Sequence, residues 1–131
     1  MRIEGWESLL NDHIERAAHI EFAWGVNDCA LWCADWGNKA TGTDFASHWR
    51  GLYSSEDELA AILSERGFSS AAGIVDAILE STAVPFAQRG DIVQHFQGCL
   101  GICNGMHGYF LMERGVTRIR TRDCIKAWRV R

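Results

Sequence analysis

The sequence predicts an α+β domain, with helices in the first two thirds and a small antiparallel sheet in the last third. Three observations predict it. Apolar residues recur at helical spacing as far as about residue 79, and Pro85, the one proline among 131 residues, interrupts that pattern. Beyond it the apolar residues fall in short runs divided by glycine. Helices followed by strands in one short chain are expected to pack as a helical layer on one face of a sheet. A hydrophobic content of 47% is enough for one ordinary core, so residues 1–131 read as a single domain. Its 23% charged and 11% aromatic residues lie far from the composition of disordered chains.

Taken in order, Trp6, Leu9, Leu10, Ile14, Ala17 and Ala18 share one face of a helix over residues 5–19, with acids and His13 between them. The stretch 21–27 holds Phe22, Trp24 and Gly25 and leads into a second helix over 29–40. Asn27 or Asp28 would cap that helix and Gly42 would end it, and Cys29, Trp32, Cys33 and Trp36 lie on one of its faces. Ser55 with Glu58 three residues on is a capping box ahead of Leu59, Ile62 and Leu63, and Gly67 closes that third helix. A shorter helix is expected over 70–79. Strands are expected at 91–96, 99–104, 108–113, 116–120 and about 127–130, joined as an antiparallel meander.

Composition excludes several classes of function. No stretch approaches the roughly 18 consecutive apolar residues of a membrane span, and the N-terminal segment is acidic and amphipathic, so neither a membrane partner nor a signal peptide is expected. Five cysteines, an odd number in a chain long enough to fold without staples, point to reduced thiols, as in the cytoplasm or a virion. The net charge of -4 hides an asymmetry. Residues 1–113 carry 6 Lys plus Arg against 16 acids, whereas Arg114, Arg118, Arg120, Arg122, Lys126, Arg129 and Arg131 face Asp123 alone in the remainder. Such a basic end could touch nucleic acid, an acidic partner or the chain's own acidic half, or simply be the solvated faces of strands. Isolated alternation with no recognition-helix pattern speaks against nucleic acid.

Cys29, following Asp28 at a helix start, is the candidate for chemistry. Helix N-terminal amides favour the thiolate, which is the reactive form, while the negative charge of Asp28 opposes it. A general base is still required, usually an imidazole that takes the thiol proton and returns it to the leaving group. Alone, a cysteine at a helix start is more often a buried structural thiol.

The order of further motifs adds to this. Trp24-Gly25-x-x-Asp28-Cys29, then Arg89-Gly90-Asp91-Ile92-Val93, then Leu100-Gly101-Ile102 resembles the NlpC-type, papain-like cysteine peptidases, hydrolases that cut peptide bonds in peptidoglycan stems. That likeness covers roughly residues 22–120. Phe22-Ala23-Trp24-Gly25, Asp28-Cys29, Gly42 and Asp44, Tyr53, Gly90-Asp91, Leu100-Gly101-Ile102 and Ala127-Trp128-Arg129-Val130 look closer still to small NlpC-like proteins of phage and prophage tail modules, from Trp6 to Val130.

The resemblance implies a papain-like fold with Cys29 as nucleophile, real or vestigial, and a groove beside Trp24, Asp28 and Trp32. It also implies a catalytic histidine two residues before the glycine of the Gly-Ile pair, and Cys99 stands there. A cysteine is a poor replacement, because a neutral thiol accepts protons weakly. The polar residue that would orient the histidine falls near Tyr109 to Leu111, which offers neither histidine nor amide. His95 on the preceding strand and His107 in the 105–108 turn are the alternative bases, each with a plain reading as a strand or turn residue without function. His13, His19 and His48 read as surface or interface residues.

In the parent fold the positions of Cys29 and Cys99 face each other, so oxidation would lock the helix to the sheet. Cys29 with Cys33, and Cys99 with Cys103, are spaced poorly for chelation, and no metal or cofactor is expected. Trp24, Trp32, Trp36 and Trp49 could stack on sugar or peptide, but in so small a domain such rings more often supply core volume or an interface.

The resemblance therefore predicts a degenerate peptidase acting as a structural or assembly component of a phage tail tip or baseplate. It would dock on tail hub proteins through its helices or basic C-terminal strands, and reside in the virion after assembly in the bacterial cytoplasm. The alternative is an active thiol peptidase or amidase that cleaves peptidoglycan as the genome enters the cell, with His95 or His107 as base and helix-start amides as oxyanion donors. A nucleic-acid-binding module would rest on the C-terminal arginines alone.

Overall fold

The first helix, α1 (Trp6–Arg16), turns its apolar stripe inward, with Leu10 fully buried and Trp6, Leu9 and Ile14 against the same core; a 3-10 turn at Ala17–His19 extends it. The computed structural model describes residues 1–131. α2 (Cys29–Thr41) runs one residue further than expected and ends at Gly42, whose φ of 82° suits glycine. α3 (Glu56–Glu65) starts at Ser55, whose side chain accepts the Glu58 amide at 3.1 Å. The return arm of the capping box is missing, because the Glu58 carboxylate takes the Ser54 hydroxyl instead. α4 (Ala71–Ile78) is capped in the same way by Ser70.

His13 corrects one expectation. It is not on the surface but 3% exposed in the seam between α1 and α2, with its ring stacked on Trp32 at 5.2 Å. Nε2–H donates to the Trp32 carbonyl at 3.0 Å, and the Lys39 ammonium donates to Nδ1 at 3.0 Å. Both partners are satisfied only by a neutral ring.

The sheet has six antiparallel strands: β1 (Ser81–Thr82), β2 (Ile92–Gln94), β3 (Leu100–Cys103), β4 (His107–Met112), β5 (Gly115–Arg120) and β6 (Lys126–Trp128). β2 through β5 form the expected meander. β6 departs from it, returning across the sheet to lie between β1 and β2 with Ala127 opposite Val93 and Trp128 opposite Ile92. β1 is an additional strand of two polar residues that carry no periodic signal.

Alternation divides the strands between two cores. Ile92, Leu100, Ile102, Leu111 and Trp128 join Trp32, Trp36 and Leu10 under the helices. Val93, Cys103, Phe110 and Ala127 face the other way and meet Cys124. Gly101 lies where Phe110 crosses β3: a Cβ there would sit 2.3 Å from the Phe110 ring and 2.4 Å from the Tyr109 carbonyl oxygen. No helix is long and apolar enough to cross a membrane.

Candidate functional site

The turn that presents Cys29 is built around Asp28. Its carboxylate is 1% exposed and accepts the Gly25 amide at 3.0 Å, the Leu31 amide at 2.9 Å and the Tyr53 hydroxyl. The Leu31 bond is an N-cap, satisfying one of the free amides of the first turn of α2. Gly25 adopts φ +80°, and a Cβ there would fall 1.9 Å from the Tyr53 carbonyl oxygen. Only glycine lets the chain around Tyr53 close over this turn. Burial and the Asp28 carboxylate together push the Tyr53 phenol far up, so it stays a donor. Trp24-Gly25-x-x-Asp28 is thus a scaffold that fixes the first residue of α2.

That residue is Cys29, partly exposed, and its thiol faces Cys99, the residue before β3. The hydrogen bond from Cys99 is the largest influence on Cys29 and holds its thiol below the ordinary range. Burial and the Asp28 charge oppose this, and the amides of Leu100 and Ala30 assist it. Cys99 moves the other way, pushed well above the ordinary range by the same hydrogen bond and then by burial. The two shifts run in opposite directions, so Cys29 is the more acidic thiol of the pair.

No imidazole hydrogen-bonds to Cys29. His95 follows β2 directly opposite Cys99, where its amide donates to the Cys99 carbonyl at 3.1 Å. Its ring is 1% exposed, edge-on to Phe110 at 4.9 Å, and Nδ1 accepts the Gln97 amide at 2.9 Å. The proton is therefore on Nε2, which is buried without a partner. Burial lowers the pKa of this ring. A base acting through Nε2 would need its proton on Nδ1, against the Gln97 N–H, so the geometry opposes that role. His107 is the first residue of β4 rather than part of a turn, paired with Arg120 at the Cys103 end of β3. Four residues of strand, about 13 Å, separate that end from Cys99.

A family profile described as "Domain of unknown function (DUF6950)" matches residues 1–130. The chain belongs to the DUF6950 family. No curated protein and no solved structure matches it.

In this DUF6950 domain the tryptophans serve packing. Trp32, expected beside the groove, is instead 1% exposed in the main core, and Trp36 is fully buried with Nε1 donating to the Gly90 carbonyl at 2.8 Å. Trp24 is half-buried, edge-on to Phe22 at 5.0 Å, and Trp49 packs on Phe68 under the Arg66 guanidinium. Cys33 and Cys103 lie in the two different cores, so the four thiols considered together do not converge, and no group of three or more possible ligands could hold a metal.

The basic end of the DUF6950 domain meets the acidic half in part, through Lys126 with Asp76 and Arg131 with Glu80, each at 2.9 Å. Arg118, Arg120 and Arg122 are exposed without an ion pair. Two partners of the site enter the sequence reading only through the family likeness. Tyr53 closes on Asp28 from a loop 25 residues away, and the Leu100 amide reaches the Cys29 sulfur from β3.

Proposed function

We propose that this domain is a catalytically silent relative of NlpC-type peptidases that serves as a structural or assembly component of a phage or prophage tail tip or baseplate. The observation that carries the silence is the pairing of Cys29 with Cys99, where the peptidase chemistry needs an imidazole with a free basic nitrogen. The buried ring of His95 has its basic nitrogen engaged, and His107 is placed at the far end of β3. The tail setting rests on the likeness of the Phe22–Gly25, Asp28-Cys29, Gly90-Asp91 and Ala127–Val130 segments to tail-module proteins. Tail hub proteins are the partners that fit this reading, with exposed Arg118, Arg120 and Arg122 as an acid-seeking contact.

The test combines two measurements. Purified peptidoglycan incubated with the full chain should release no new amino groups. Assembled tails should retain the protein, and Cys29→Ala should be retained equally. Retention that depends on Cys29, or absence from assembled tails, would remove the structural reading.

A second reading, an active thiol peptidase or amidase, is favoured by one observation: the Cys29 thiol is held low at a helix start between two amides. Peptidoglycan cleavage lost in Cys29→Ala would put it first.

A further inference from the structure

We infer that Cys29 and Cys99 form a redox-active dithiol that exchanges with small disulfides, with Cys29 attacking first and Cys99 resolving. The inference stands apart from any role in a tail, since it concerns two sulfurs and their surroundings.

Reactive dithiols need a thiolate with access to solvent, a second thiol in contact with it, and a reason why the first is the stronger nucleophile. All three are present. Both cysteines are partly exposed, whereas Cys33, Cys103 and Cys124 are buried. Cys29 opens α2 and Cys99 immediately precedes β3, the strand on which α2 packs, and each thiol is the largest influence on the other. Their surroundings differ: Cys29 opens α2, where the free amides of the first turn favour an anion, whereas the Cys99 sulfur lies 3.7 Å from the carbonyl oxygen of Leu100. Amides stabilise an anion and a carbonyl does not. Attack therefore begins at Cys29.

In the first step the Cys29 thiolate bonds to one sulfur of a disulfide RSSR, the S–S bond breaks and RS⁻ leaves. In the second, Cys99 gives up its proton and bonds to the Cys29 sulfur of the mixed disulfide, expelling the other RS⁻. The protein loses two electrons and RSSR gains them. The two leaving groups end as RSH, with one proton from Cys99 and one from water. The product is a Cys29–Cys99 disulfide that ties α2 to β3 and removes the thiolate.

The remaining three cysteines are internal controls. Cys103 sits against the Thr121 hydroxyl and the Gly105 carbonyl in the second core, with Cys124 nearby, and Cys33 lies under the helices. Burial raises the pKa of each, which keeps them protonated and unreactive.

The experiment equilibrates the full-length reduced protein with mixtures of oxidised and reduced glutathione, then denatures it, alkylates it and maps the peptides. Two of the five cysteines should become protected as one linked peptide pair, 29 with 99, and dithiothreitol should release both. Cys99→Ser should accumulate one glutathione on Cys29, while Cys29→Ser should leave Cys99 unmodified over the same period. Full alkylation of all five after equilibration, a link through Cys33, Cys103 or Cys124, or a first adduct on Cys99 would each overturn the inference. Should a serine variant not fold, the wild type decides alone: brief iodoacetamide treatment should label Cys29 at least about tenfold faster than the other four, and equal rates refute the assignment.

Discussion

Arg2 and Asp91 join the two ends of the domain: Nη2 of Arg2 donates to Oδ1 of Asp91 at 2.9 Å, with the two side chains 14% and 3% exposed. The same guanidinium donates to the carbonyls of Val130 and Arg89 and lies over the Trp6 ring at 4.3 Å. Asp91 in turn accepts the amides of Gln88 and Val130. The Gly90-Asp91 pair is therefore a junction of N-terminal segment, sheet and C-terminal segment. Arg2→Ala leaves a buried carboxylate without its cation and should cost about 3 kcal/mol. Urea unfolding followed by tryptophan fluorescence measures it, and a loss under about 1 kcal/mol would mean the pair behaves like a surface bridge.

His13 gives the protein an acid-sensitive seam. Burial, and then the nearby Lys39 ammonium, lower its pKa from 6.5 to about 4. Because the folded value lies below the unfolded one, the unfolded chain binds more protons between those limits. Stability is then complete above pH 6.5 and falls as pH drops toward 4, by about 3 kcal/mol if no other group intervenes. Denaturation midpoints measured from pH 7.5 to 4 should follow this course, and His13→Gln should flatten it. An unchanged slope in the variant would assign the acid sensitivity elsewhere.

Tyr53→Phe removes one of three donors to a carboxylate that has no access to water, and should cost about 2 kcal/mol. Gly25→Ala should cost at least as much, since it forces a left-handed backbone on alanine and drives its Cβ into the Tyr53 carbonyl. Both are read from thermal or chemical unfolding. Alanine tolerated at Gly25 would mean that the turn can open.

His95→Phe separates packing from chemistry. The substitution removes a buried N–H without a partner and sets an apolar ring against Phe110, while the Gln97 amide that loses its acceptor lies in an exposed turn open to water, so stability should change by less than about 1 kcal/mol. Iodoacetamide labelling of Cys29 should keep its wild-type rate. A labelling rate that collapses would restore His95 as a base acting on the thiol.

The helices were readable because their signals are local. Asp28, Ser55 and Ser70 each accept the amide of the third residue of the helix that follows, and Gly42 ends α2 by its own conformation. The meander from β2 to β5 was readable for the same reason, since each strand pairs with the next. The features that are not legible in the sequence depend on distant partners. β6 is placed by Val93 and Ile92, more than 30 residues earlier, and β1 exists only because β6 offers it an edge. His13 lies among polar neighbours in sequence, and its burial is decided by Trp32 and Lys39 on another helix. At the site, position alone marks Asp28 and Cys29, whereas the opposition of Cys29 and Cys99 is implied only by the family likeness. The engagement of His95 by the Gln97 amide has no signature in residue type, because any residue would supply that amide.

The place of β6 has a consequence for biosynthesis. An interior strand drawn from residues 126–128 means that a ribosome-bound chain stopped short of them holds β1 and the β2–β5 meander as two fragments with bare, facing edges. Such a chain cannot close its sheet, however long it waits. The sheet closes only once residues 126–128 are in hand, and until then the slot between β1 and β2 is open to a chaperone or a neighbouring nascent chain.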